Sequence, residues 1–155
     1  MIIWRDTMNV GAATVDNDRR ELIAIINEFE NGGDPDLAEA TAKKLYALTQ
    51  EGFRREEKLQ EESRFPGSNR HRNEHALIRD KLEALIRGGF AGQDRGRAER
   101  VAQLRDLMRD WVIGHVLRSD MEMKPHIAFA TASPSPRPRT RRATGRPATI
   151  NSRAG

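Results

Sequence analysis

Apolar residues recur at steps of three and four along four stretches of the chain, the spacing of one stripe on an α-helix. Val15, Arg19, Leu22, Ile26 and Phe29 mark the first stripe, and Asn31-Gly32-Gly33 ends it. Asp34-Pro35 predicts a restart, with Asp34 as N-cap and Pro35 at the first helical position. The second stripe is Leu45, Leu48, Gly52, Glu56 and Leu59, stopped by Phe65-Pro66-Gly67, after which Ser68 or Asn69 is placed to cap the next helix. His71, His75, Ile78, Leu82 and Leu85 form the third, closed by Gly88-Gly89. Val101, Leu104, Met108, Trp111 and His115 form the fourth, and the chain is expected to leave the helix near Pro125. No alternating strand pattern competes. Four helices with short connections predict an all-α, antiparallel up-down-up-down bundle over residues 1–127, with an N-terminal arm.

Composition changes the picture at the C-terminal end. Residues 128–155 turn to Pro, Ser, Thr, Ala and Arg, which cannot bury enough apolar surface to fold, so this segment is expected to be a disordered basic tail. Of the net charge of +4, the arginines at 137, 139, 141, 142, 146 and 153 supply +6, which leaves the first 130 residues about two units negative. The domain therefore has no charge footprint for nucleic acid. The arginines of the tail are what an acidic partner, nucleic acid or anionic lipid would meet, if it has a partner at all. The absence of cysteine excludes disulfides, thiolate metal sites and a cysteine nucleophile. With no long apolar run and no leader-like start at Met1 to Asp6, a cytoplasmic protein without membrane insertion is expected.

Candidate chemistry lies in the exceptions to the stripes. Arg19, Glu56, His71, His75 and His115 fall where the helix period calls for apolar side chains. Burying one of them unpartnered costs several kcal/mol, and together they span all four helices. Facing helices that aim polar groups at one point are how bundles build metal sites. His71 and His75, at i and i+4, share a face. Asp120 is five residues after His115, off an ideal helical face, and joins the set only if the last turn loosens. Glu57, rotated about 100° from Glu56, groups with Arg54, Lys58 and Glu61 as solvated surface. Imidazoles with carboxylates suit iron, manganese, zinc or copper; a hydrogen-bonded ion network without metal is the competing reading.

These residues, taken in order, resemble the hemerythrin family and specifically its bacterial single-domain members. The resemblance runs over about residues 4–120: Trp4, Asn9-Val10-Gly11 leading to Val15-Asp16, then Phe53-Arg54-Arg55-Glu56-Glu57 with Phe65-Pro66 downstream, His71-x-x-x-His75, and Trp111-x-x-x-His115 with Asp120. It implies a four-helix bundle that holds two non-haem irons and binds O2 reversibly. In the family one iron takes three histidines, the other takes two, and a glutamate and an aspartate bridge them. Carried over, His71, His75 and His115 match the three-histidine iron, and Glu56 and Asp120 match the bridging carboxylates. The second iron, which has the open position for O2, has lost both histidines: Arg19 and Gly52 stand in their places. A methionine of the family is Gln60 here.

The resemblance with these departures implies one iron rather than two. Arg19, with a permanently charged guanidinium, is expected to stand in for the missing cation against Glu56 and Asp120, with Gly52 leaving it room. The expected function is non-haem metal binding with a small ligand such as O2 and no enzyme activity, since no nucleophile-and-base, phosphate-loop or dinucleotide motif is present. The alternative is a metal-free structural or partner-binding bundle in which Arg19 neutralises the buried carboxylates.

Overall fold

The structure, a computed structural model, describes residues 1–32, 35–91 and 95–132. Four long helices are present: α1 (Ala13–Gly32), α2 (Ala38–Glu62), α3 (Ser68–Gly88) and α4 (Arg95–Asp110). The fourth continues as a π-helical stretch, Trp111–Ser119, a 3-10 turn, Asp120–Met123, and a last helix α5, Lys124–Ala132. Among the described residues there is no strand, and no helix is long and apolar enough to cross a membrane. The architecture is the predicted all-α four-helix bundle.

Helix α2 packs between α1 and α3, and α3 packs on α4. The large apolar cluster contains Leu22, Ile26, Phe29, Leu45, Phe53, Ile78, Leu82, Leu85, Val101, Leu104, Met108 and Trp111. Each such side chain contributes about 1.5–3 kcal/mol when fully buried. The periodicity located most of this set, but on α2 the inward face also includes Phe53 and Gln60, while Leu48 and Leu59 are only half-buried. A smaller cluster of Val10, Val15, Phe65, Met123 and Ile127 sits apart from it.

The N-terminal arm is tied to α1 by a reciprocal pair of bonds between the Ile2 backbone and the Asn27 amide, at 2.7 and 2.8 Å. The Asp16 carboxylate accepts from the Val10 and Gly11 amides at 2.8 and 3.2 Å. That contact explains the Asn9-Val10-Gly11 and Val15-Asp16 pieces: Gly11 has φ +96, which a residue without Cβ adopts freely, and its turn delivers two N–H groups to one acid.

Three local expectations change. The fourth helix does not end near Pro125. A fresh turn starts at Lys124, so Pro125 lies in a first turn, where its missing N–H costs little. Helix therefore covers 128–132, the start of the expected tail, and residues 133–155 lie outside the described residues, as does the expected cap Asp34. Ser68 is the first residue of α3 rather than its cap, with its hydroxyl donating to the Phe65 carbonyl at 2.5 Å.

Candidate metal centre

Glu56 from α2, His71 and His75 from α3, and His115 from the π-helical stretch each direct one ligand atom to a common point, and these atoms lie within 4.8 Å of one another. All four residues are buried. Glu56 Oε1 is 2.5 Å from His71 Nε2 and 3.4 Å from His75 Nε2. Asp120 Oδ1 is 3.3 Å from His71 Nε2 and 3.2 Å from His115 Nε2. The structure thus brings together all five residues carried over to the three-histidine locus.

The π-helical stretch is what admits Asp120. In an α-helix, residues five apart are rotated by about 140° beyond a full turn. Here the Asp120 amide bonds to the His115 carbonyl, an i to i+5 step that returns residue 120 to the face of residue 115. The widened turn also places the Asp120 carboxylate, which has no exposed surface, against the imidazoles.

Two further carboxylates orient the rings. His75 Nδ1 is 2.8 Å from Glu57 Oε1, and His115 Nδ1 is 3.0 Å from Glu74 Oε2. With Nδ1–H donated to a carboxylate, each Nε2 keeps its lone pair aimed inward, the arrangement usual for metal-binding histidines. This corrects the reading of Glu57 as solvated surface. The 100° rotation takes its Cβ away from Glu56, yet a flexible side chain on a half-buried face still reaches the ring on α3. Glu74 was not singled out at all; its position directly before His75 carried the only signal. His71 Nδ1 is buried without a partner. The His75 ring stacks on Phe53, centroids 3.8 Å apart and planes within 4°.

Protonation in the metal-free centre is uneven. Burial opposes charge on Glu56, but the hydrogen bonds and charges of His71 and His75 hold it well below the usual carboxylate range. Burial also opposes the His71 cation, yet Asp120 and Glu56 outweigh it and raise His71 to about 9. Burial pushes Asp120 up, with the like charge of Glu56 adding to it and Arg19 pulling the other way. Burial lowers His115.

The second locus is filled differently. Arg19, 4 % exposed, places Nε 3.1 Å from Asp120 Oδ2 and a terminal nitrogen 3.4 Å from Asp16 Oδ1. Its other terminal nitrogen donates to the Val116 carbonyl at 2.7 Å. The guanidinium therefore pairs with Asp120 as expected, but its second acid is Asp16 and not Glu56. Gly52 borders the same cavity of about 20 Å³ as Arg19, which is room for about one water. However, the nearest atoms a Cβ at Gly52 would meet belong to Asp18, the closest at 3.7 Å, so this glycine lies under Asp18 more than it clears a path for Arg19. Asp18 is itself held by Arg55 through two bonds of 2.8 and 2.7 Å.

Whether these residues fit a metal is answered by the atoms left over. His75 Nε2, His115 Nε2 and both carboxylate oxygens of Asp120 are buried with no hydrogen bond. Buried polar atoms rarely go without a hydrogen bond, and His75 Nε2 and His115 Nε2 meet Glu56 and His71 at one point, with Asp120 Oδ1 beside His71 and His115. A cation there satisfies them together. The donor set fits a metal ion, and on the α1 side a guanidinium faces Asp120.

A family model described as Hemerythrin HHE cation binding domain matches residues 10–127. The chain belongs to the hemerythrin family. Among curated proteins, a bacteriohemerythrin of Pseudomonas paraeruginosa is 27% identical over 123 residues, covering 77% of this chain and 76% of that protein, and one of Pseudomonas aeruginosa gives the same figures. A bacteriohemerythrin of Stenotrophomonas maltophilia is 22% identical over 134 residues, covering 82% and 84%. No solved structure matches the chain significantly. The hemerythrin match spans every residue of the buried His/Glu cluster and both replaced positions, Arg19 and Gly52. A metal-binding cluster within a cation-binding hemerythrin domain is the plain reading of this centre.

Proposed function

We propose that this hemerythrin domain holds a single non-haem iron through His71, His75, His115, Glu56 and Asp120, and that it serves as a binding or sensing protein for a small ligand such as O2 rather than as an enzyme. The observation that carries this reading is the convergence of ligand atoms from Glu56, His71, His75 and His115 within 4.8 Å of one another, with His75 Nε2 and His115 Nε2 buried and making no hydrogen bond. Bound iron would supply redox activity and an exchangeable coordination position. The chain's own residues do the rest. Glu57 and Glu74 fix the tautomer and tilt of His75 and His115. Phe53 stacks on the His75 ring and meets the edge of His115, and Trp111 packs against Phe53. Arg19 neutralises Asp120 from the side where a second cation would sit, which supports one ion in place of two.

A metal-free bundle is the second reading, and one observation favours it: the 2.5 Å contact between His71 and Glu56 already satisfies part of the centre without an ion. Elemental analysis of aerobically purified protein, joined to its optical spectrum, separates the readings. About one iron per chain without an oxo-bridge band supports the proposal. No metal after loading supports the second reading, and zinc or manganese in its place would correct the metal alone.

A further inference from the structure

Gln60 stands where the family resemblance expects methionine, and it is fully buried. Burying an amide without compensation costs several kcal/mol, so its contacts need an account. Its Nε2 lies 3.4 Å from Glu56 Oε1 and 3.9 Å from Met123 Sδ, while its Oε1 has no partner. An ionised carboxylate only accepts hydrogen bonds, so the charge on Glu56 fixes which end of the amide faces it. Three nitrogens then converge on the single oxygen Glu56 Oε1: those of His71, His75 and Gln60. The two imidazole nitrogens are the ones that turn their lone pairs to a metal, and a ligating Nε2 has no proton to donate. Gln60 is then the one donor of the three left on Glu56, and a methionine at this position supplies none.

We infer that Gln60 is a positioning residue of the metal centre: its amide N–H holds one oxygen of Glu56 and thereby sets the orientation in which the carboxylate meets the ion. This rests on the metal reading above, and it predicts more than packing. Gln60→Met keeps an unbranched side chain of similar length, which adapts readily to a core site, and removes the donor.

The test uses cobalt(II) as the probe on the full chain, with affinity by competition and the visible bands of the complex as readouts. Gln60→Met is expected to unfold at the parent's temperature when metal-free, yet to bind cobalt(II) about 10–100-fold more weakly, with shifted bands. Unchanged affinity and unchanged bands would overturn the inference. A second arm needs no metal and no Gln60 variant: the Gln60 side-chain amide, followed by NMR in 15N-labelled metal-free protein. Its protons should exchange about tenfold or more slower than those of an exposed glutamine, and they should shift on Glu56→Gln. Fast exchange, or no shift, would overturn the inference even if the chain takes no metal, whereas absence of metal binding alone refutes the metal reading.

Discussion

The buried carboxylates have two sides, and they are furnished in opposite ways. On one side His71, His75 and His115 present nitrogens to Glu56 and Asp120, and two of the rings are braced by Glu57 and Glu74. On the other, α1 offers Arg19 and α2 offers Gly52, with Asp18 and Arg55 closing over the glycine. One side leaves two buried imidazole nitrogens without a hydrogen bond, and the other supplies its own cation. The contrast shows two ways to neutralise a buried carboxylate: convergent imidazoles that can hold an ion, or a permanent charge carried on a side chain.

The contrast breaks most visibly if the second side is rebuilt. Arg19→His combined with Gly52→His should raise metal uptake by one further ion per chain, counted by elemental analysis; no gain would mean that α1 and α2 have moved beyond ligating distance. Next in size is Arg19→Met, which strands Asp120 and Asp16. Loss of one partner from a buried pair costs about 3–5 kcal/mol, so denaturant unfolding of the metal-free variant should show a loss of that order, and metal loading should recover part of it. A change below about 1 kcal/mol would be the value of a surface pair and would remove Arg19 from the account.

On the histidine side, Glu57→Gln should weaken metal binding about 10–100-fold with little effect on the melting of metal-free protein. The pH dependence follows from His71. Its folded value of about 9 lies above its ordinary one, so near neutrality the metal-free centre holds a proton that loading must release. Apparent affinity should therefore rise with pH by about tenfold per unit up to about pH 9 and then level off, and calorimetry in buffers of different ionisation enthalpy should find about one proton released at pH 7. Metal-free stability runs the other way: the His71 contribution is complete below its ordinary value and is lost as pH rises through about 9. The smallest effect is expected from Gly52→Ala. Its Cβ would meet Asp18 at an ordinary 3.7 Å, and replacing a mid-helix glycine gains about 0.5–1 kcal/mol.

Much of this was written in the periodicity. Leu22, Leu45, Leu82 and Leu104 lie on the stripes and are buried, and Arg19, Glu56, His71, His75 and His115 broke the stripes because they face inward. What escaped depends on departures from the 3.6-residue turn and on side-chain reach. Asp120 needs the i to i+5 step of the π-helical stretch, which no heptad-like count contains. Glu57 and Glu74 occupy half-buried positions and act through the far ends of flexible side chains. The Asp16 contact to Arg19 follows from the turn at Gly11, whose amides draw that carboxylate inward. Pro125 misled because its reading assumed an unbroken helix.

The number of ions the centre accepts decides the account. An anaerobic titration of metal-free protein with iron(II), followed by calorimetry, should reach equivalence at one ion per chain. Equivalence at two would contradict the role given to Arg19.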